Sequence, residues 1–217
     1  MRLSSYSPDL RELSSVHRSV RSKRKRFIDI VGALLGLSVT TVLLLPIVVA
    51  IKCDTRGPIF YTQRRCGLRT RSFRILKFRS MVTNAERLNH LVENEAAGHI
   101  FKNRNDPRIT RVGQFLRKTS LDEFPQFLNV LKGEMSLVGT RPPTLDEVEK
   151  YSAFHLQRLN VKPGMTGEWQ VYGRSNVEDF DKIVQMDLNY QRKWSIFYDL
   201  SLILKTIMVV FNKQGAY

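Results

Sequence analysis

Residues 27–51 read FIDIVGALLGLSVTTVLLLPIVVAI, and this stretch decides what kind of protein the chain is. It holds one charge, Asp29, near its start and is otherwise apolar or small. As a straight helix its 25 residues would extend about 37 Å, enough to cross a hydrocarbon core of ~30 Å. It does not read as a cleaved leader: the apolar run is too long and no small-residue cleavage site follows. Pro46 lies inside the run, where it removes a backbone donor and crowds the preceding turn, so a kink or break is expected there. Both flanks are basic. Arg21, Lys23, Arg24, Lys25 and Arg26 precede the run; Lys52, Arg56, Arg64, Arg65, Arg69 and Arg71 follow it, against the single acid Asp54. Basic flanks favour the cytoplasmic side. Both are satisfied if the helix enters, bends near Pro46 and returns to the same face, with the freed backbone groups finding partners. An ordinary span with a mild proline kink is the other reading, and residue chemistry alone leaves both open. Gly32 and Gly36 form a GxxxG, a weak signal for helix pairing.

Outside this run the chain is neither disordered nor polytopic in composition, at 42% hydrophobic and 25% charged residues. Lys and Arg number 35 against 20 Asp and Glu, a formal net charge of +15. Such an excess favours polyanionic partners: nucleic acid, an anionic lipid surface or phosphorylated substrates. Cys53 and Cys66 lack metal-ligand spacing, and His17, His90, His99 and His155 form no zinc set. Both cysteines read as packing residues.

Three regions follow: a polar tail over 1–20, the basic flank and membrane helix over 21–51, and a catalytic-size domain over 52–217. TRGPIFYTQRRCG and SFRILKFRSM suggest short strands separated by Gly and Pro turns. VTNAERLNHLVENEAAG has helical spacing closed by Gly98. In DPRITRVGQFLRKTSLDEFPQFLNVLKGEMSLVG, Thr119 or Ser120 is placed to cap a helix with Asp122 and Glu123 in its first turn and Gly133 at its end. TLDEVEKYSAFHLQRLN reads as one further helix, and VKPGMTGEWQVYGRS as a loop. The apolar C-terminal run, broken by Asp199 and Lys205, suits a helix at a membrane interface better than a second span. The fold class expected is therefore α+β and mainly helical, with a small strand region and interfacial amphipathic helices.

An adjacent Asp–Glu pair at a helix start usually does no more than complement the helix dipole. Here Arg117 and Lys118 precede Asp122 and Glu123, Arg141 follows on a turn fixed by two prolines, and Lys77 and Arg79 lie in an extended basic stretch. Carboxylates among cations suit a metal-bridged phosphate: one can coordinate Mg²⁺, or attack phosphorus to give an acyl phosphate. The cations then neutralise phosphoryl oxygens as charge redistributes. No Walker motif, dinucleotide fingerprint, HExxH or GxSxG is present.

The blocks KRFIDIVGALLGL, RGPIFYTQRRCG, FRILKFRSM, DPRITRVGQFLRKTSLDEFPQFLNVLKGEMSLVGTRP, VKPGMTGEWQVYGRS and MDLNYQRKWSIFYDLSLILKTI occur in that order. On these the chain resembles the bacterial sugar transferase family, the monotopic polyprenyl-phosphate phosphoglycosyl transferases. The match runs from Arg26 to about Lys213. The resemblance implies a monotopic protein of the bacterial inner membrane, with a re-entrant helix broken at Pro46 and a domain on the cytoplasmic face. It implies that Asp122 attacks the β-phosphate of a UDP-sugar, giving a covalent phosphosugar and UMP. Glu123 would handle the proton of the incoming polyprenyl phosphate or orient Mg²⁺, which Asp122 and Glu123 would hold. Arg141 and Pro142 match the family's Arg-Pro motif, with the arginine on a phosphate of the donor. Arg117, Lys77, Arg79 and Arg174 match further basic positions, and Asp187 and Asp199 match acidic ones; Asp199, in an apolar stretch, reads either as support for the site or as a helix cap or salt-bridge partner. Membrane lipids and downstream glycosyltransferases are the other partners implied; nucleic acid is not one, and homo-oligomers are left open. Thr140 stands where proline is usual, Glu168 where an apolar residue is usual, and Phe124 and Ser80 replace leucine and threonine. Larger relatives carry an N-terminal multi-span domain, so this chain looks like the minimal form. A basic, membrane-anchored lipid- or nucleic-acid-binding adaptor without catalysis is the alternative, and it leaves the carboxylate pair unexplained.

Overall fold

In a computed structural model, residues 16–88, 90, 92, 94, 103, 105–173, 177 and 179–211 are described. His17 caps a single helical turn, α1 (Arg18–Arg21), by accepting the Ser19 N–H. Ser22 then caps the long helix α2 (Lys23–Asp54) through the Lys25 N–H at 3.2 Å. Capping of this kind satisfies donors that a helix start otherwise leaves open. Among the described residues α2 is the one helix long and apolar enough to cross a membrane. It runs through Pro46 without interruption. Just before the proline, the hydroxyls of Ser38, Thr40 and Thr41 bond back to the carbonyls of Leu34, Gly36 and Leu37. Back-bonding of this type tends to bend a helix.

One side of α2 is covered by protein along its length: Lys25, Asp29, Ala33, Thr40, Ile47 and Ile51 are buried. The other side presents Phe27, Val31, Leu34, Leu35, Val42, Leu45 and Val49 uncovered. The GxxxG glycines serve the covered side. A Cβ at Gly32 would lie 2.5 Å from Leu137 Cδ1, and one at Gly36 2.4 Å from Phe127 Cδ2. They let the helix seat on its own domain.

The domain begins with the short strands expected there, which pair as a hairpin: β1 (Phe60–Cys66) is antiparallel to β2 (Ser72–Phe78), with Tyr61 opposite Lys77 and Arg65 opposite Phe73. The helix expected from 82 to 98 is not seen: residues 83–88 form successive turns, and most of the remainder lies outside the described residues. Thr110 caps α3 (Arg111–Lys118). Asp122 and Glu123 then fall in a 3-10 helix, Leu121–Gln126, that leads into α4 (Phe127–Lys132). Neither Thr119 nor Ser120 caps it. Ser120 sits in the left-handed region at φ 56°, and the Thr119 hydroxyl instead bonds to Phe115 and Leu116 carbonyls. Pro125, lacking an N–H, cannot join an α-helical ladder there. Gly133, at φ +83°, ends α4 as expected.

Next come β3 (Ser136–Val138), then α5 (Leu145–Val148) and α6 (Ala153–Leu156), with a 3-10 turn at Gln157–Asn160. The single helix expected over 144–160 is split because two capping boxes occur within it, Thr144 with Glu147 and Ser152 with His155. β4 (Gly164–Thr166) pairs parallel to β3, and α7 (Glu168–Tyr172), α8 (Phe180–Lys193) and α9 (Ile196–Phe211) complete the domain. The β3–β4 approach depends on Gly139, whose added Cβ would meet Lys162 O at 2.2 Å. Along α9, Phe197, Leu200, Leu204, Ile207 and Met208 are exposed on one helical face. Exposed apolar stripes of this size on α2 and α9 suit an apolar surrounding rather than water.

Candidate active site

Leu121 and Phe124 pack with Ile47, Ile51, Phe78 and Leu116, which fastens the 3-10 helix between α2 and the hairpin. Phe124 meets Phe127 edge to face at 5.6 Å. On this base Asp122 is buried, at 6% exposure, and Glu123 is more open. Lys77 reaches across from β2. Its Nζ donates to Glu123 Oε1 at 2.7 Å and lies 4.0 Å from Asp122 Oδ2. A cation between two adjacent carboxylates opposes their mutual repulsion.

A second group of charges stands on the turn after β3. Arg141 holds Glu147 at 3.3 Å, and Glu147 also closes the capping box of α5. Arg158, wholly buried, donates to Asp187 and to the Tyr151 hydroxyl, and its Nη2 reaches the Arg141 carbonyl at 3.5 Å. Asp187 therefore supports the backbone behind Arg141. Pro142 is buried, and its carbonyl accepts from Arg65 Nη1 at 3.1 Å. Arg117 is held by Ser80 through Nε at 3.1 Å, and a Cβ at Gly113 would meet Ser80 O at 1.9 Å, so α3 lies tight on this strand end.

Two expected residues make their hydrogen bonds elsewhere, and a third lies outside the described residues. Arg79 donates to the carbonyls of Arg56 and Thr55 and to the Thr55 hydroxyl, which ties the end of α2 to the turn into β1. Asp199 accepts from Lys25 at 2.7 Å, Tyr190 at 2.8 Å and Trp194 at 3.0 Å, locking the start of α2 to α9. Arg174 lies outside the described residues. The two unusual residues are accommodated in packing. Thr140 is buried, with its hydroxyl on the Arg158 carbonyl, and Glu168 accepts from Asn189 at 2.5 Å and Tyr198 at 2.7 Å. That contact pushes the Tyr198 hydroxyl pKa up, burial first and the Glu168 carboxylate second.

The site also draws in Arg65, which the sequence reading counted only as flank charge. Strand alternation puts Tyr61, Gln63 and Arg65 on the inward face of β1. Burial, followed by repulsion from Arg141, pulls the Arg65 guanidinium down to about 10; Glu147, Tyr61 and Glu123 act in the other direction. Period-2 spacing was the signal that could have found it.

Two carboxylates from adjacent residues suit magnesium, which takes one or two carboxylates and fills its other positions with water and substrate phosphate oxygens. Among the described residues no group of three His, Cys, Asp or Glu gathers to form a complete protein cage. A half-open carboxylate pair with cations around it matches that pattern of shared coordination.

Known proteins resemble the chain over nearly all of it. "Galactosyl transferase CpsE" of Streptococcus agalactiae is 51% identical over 194 residues, 88% of this chain and 43% of the relative. "Undecaprenyl-phosphate galactose phosphotransferase" of Salmonella typhimurium is 44% identical over 205 residues, 91% of this chain and 43% of the relative. The "Exopolysaccharide production protein ExoY" of Rhizobium meliloti is 39% identical over 207 residues, covering 92% of this chain and 91% of its own length. The chain thus spans under half the length of the first two and most of the third. The model of the family described as "Bacterial sugar transferase" matches residues 20–213, which takes in the long helix, the dyad, the Arg-Pro turn and α9 together. The chain belongs to the bacterial sugar transferase family.

Proposed function

We propose that the chain transfers a sugar 1-phosphate from a UDP-sugar to polyprenyl phosphate, such as undecaprenyl phosphate, and so initiates assembly of an exopolysaccharide or related glycan. The observation that carries this reading is the buried Asp122 carboxylate beside Glu123 and Lys77, in a chain of net charge +15. The names of relatives, such as the Salmonella undecaprenyl-phosphate galactose phosphotransferase, support it.

In this reading an Asp122 oxygen attacks the β-phosphorus of the donor. The bond from that phosphorus to the bridging oxygen breaks, UMP leaves, and a phosphosugar remains on Asp122. An oxygen of polyprenyl phosphate then attacks the same phosphorus, the Asp122 ester oxygen departs, and the carboxylate is restored. Lys77 keeps Glu123 placed, and Glu123 assists the second half by taking the proton of the lipid phosphate or by holding the metal site. Arg141 and Arg117 counter the charge on the phosphoryl oxygens. Asp122 and Glu123 would hold Mg²⁺, which supplies charge neutralisation at the phosphates when bound.

The site belongs at a membrane surface on the cytoplasmic side of the inner membrane, with α2 re-entrant and bent near Pro46. Both ends of α2 are fastened to one domain: Lys25 to Asp199 and the Val138 carbonyl, Asp54 to the Val112 N–H at 3.0 Å. A helix that crossed the bilayer would place those partners on opposite sides of a ~30 Å hydrocarbon layer. The exposed stripes on α2 and α9 then rest in lipid.

The test is UMP release by detergent-solubilised protein given Mg²⁺, polyprenyl phosphate and a panel of UDP-sugars. Release with one donor, and a phosphosugar trapped on Asp122 that the Asp122→Asn protein cannot form, is the expected result. Folded protein that releases no UMP from any donor would sink the transferase reading. Normal turnover in Asp122→Asn would sink the covalent step alone.

A further inference from the structure

Arg65 holds a buried hydrogen-bond donor that no described residue meets. Its guanidinium has five N–H donors, and the bond to the Pro142 carbonyl at 3.1 Å uses one. Its Nε is buried, and no described residue offers it a hydrogen-bond partner. A buried donor left unmade is costly, the more so on a charged group. The backbone gives the side chain little freedom to escape, because the Cys66 N–H bonds to the Pro143 carbonyl at 2.9 Å and Arg65 itself bridges to Thr144. Those ties hold β1 against the very turn that carries Arg141.

The neighbours make the placement stranger for a purely structural role. Arg141 is a like charge and adds to the burial that disfavours the Arg65 cation. Glu147 stands near both, but it is committed to the capping box through the Thr144 N–H at 2.8 Å and meets Arg141 only at 3.3–3.4 Å. A neutral donor could hold the Pro142 carbonyl without bringing a second cation beside Arg141. Two guanidinium groups brought to one turn, with Glu123 among the charges that act on Arg65, are an arrangement that an anion completes. The planar fork of arginine fits two oxygens of a phosphate at once.

We propose that Arg65 is a phosphate-binding residue, which together with Arg141 forms a two-guanidinium seat for one phosphoryl group. That group belongs to the diphosphate of the nucleotide donor or to the lipid phosphate; the naming of these two ligands rests on the transferase reading above. Arg65 approaches from β1 and Arg141 from the turn after β3, so the seat is closed from two elements tied by backbone hydrogen bonds.

Binding is measured by calorimetry on the full chain in detergent, with UDP, inorganic pyrophosphate and a short-chain polyprenyl phosphate as separate titrants. Arg65→Gln is expected to weaken UDP and pyrophosphate by about tenfold or more, from loss of a charge-assisted pair. Arg65→Lys should fall between the two, since it keeps the charge and loses the fork. Melting temperatures and the KM-against-kcat split are recorded alongside. A structural role would shift the melting temperature and kcat, whereas a phosphate seat raises KM for one substrate at unchanged melting temperature. Weakening confined to the polyprenyl phosphate assigns the seat to the lipid and supports the proposal. Equal affinities for all three titrants in wild type and Arg65→Gln overturn it, as does a wild-type protein that binds none of them. Should Arg65→Gln not fold, Arg65→Lys decides by the same comparison. A wild-type protein that binds UDP through Arg65 yet never releases UMP counts against the transferase reading and leaves the seat standing.

Discussion

Lys77 shows how one side chain can serve two others. At 2.7 Å from Glu123 and 4.0 Å from Asp122, it places a positive charge beside both carboxylates of the dyad. Lys77→Met is expected to lower kcat by roughly 10²-fold, the scale of losing one aimed charge at a reacting centre. Lys77→Arg should retain more of the activity. Near-normal turnover in Lys77→Met would remove the lysine from the site. Cysteine chemistry gives a second check at this scale. Burial, with Glu147 adding to it, pushes the Cys66 thiol up to about 11, while Cys53 is exposed. At pH 8 a maleimide should label Cys53 and leave Cys66 untouched until the protein unfolds, because the thiolate is the reacting form. Prompt labelling of both in folded protein would contradict the packing of β1 on the Arg-Pro turn.

Among the elements, the segment before α3 depends on a buried pair. Arg108 grips both carboxylate oxygens of Asp106, at 2.8 Å from Nε and 2.6 Å from Nη2, and its backbone N–H adds a third bond. Burial alone would raise the Asp106 carboxyl, but those hydrogen bonds outweigh it and hold the pKa below the usual carboxylate value. Its contribution to stability is therefore present above the unfolded value, ~3.9, and is lost as pH falls through the lower folded value. Asp106→Asn should lower the melting temperature at neutral pH and reduce its fall on acidification below about pH 4. An unchanged acid limb would show that the pair is not coupled to folding. Elements of this kind differed in how far their residues announced them. The two strands of the hairpin were legible from the Gly and Pro turns that bound them, though their pairing was not, and the end of α4 was legible from Gly133. The β3–β4 pair was not, because three-residue strands brought together by Gly139 and Gly164 leave no periodic trace. The residues 144–160 looked like one helix since apolar spacing says nothing of capping boxes that restart it. In the site, Asp122, Glu123, Lys77 and Arg141 could be picked out by charge context and resemblance. Arg79 could not be separated from them, because only the fold shows its hydrogen bonds going to Thr55 and Arg56, just past α2. For Asp199 a salt bridge was already one reading, and the fold supplies Lys25 as its partner.

For the molecule as a whole, the topology makes a direct prediction. Lys23 is exposed at the start of α2 and Cys53 at its end. An impermeant thiol reagent should reach Cys53 and a Lys23→Cys substitution (in a Cys53→Ser background) from the same, cytoplasmic, side of inverted vesicles. Labelling from opposite sides would overturn the re-entrant reading and leave a plain span.

The bond between Lys25 and Asp199 joins residues 174 positions apart. Arg18 likewise donates to the Trp194 carbonyl, 176 positions away. Lys25 therefore gains the Asp199 carboxylate only once α9 has docked, although Asp29 on its own helix also acts on it electrostatically. Chains cut before α9 would carry a stranded charge at that junction, at a cost of roughly 3–5 kcal/mol for a buried pair broken on one side. Closure at such a distance along the chain makes the docking of α9 the step that seats the start of α2.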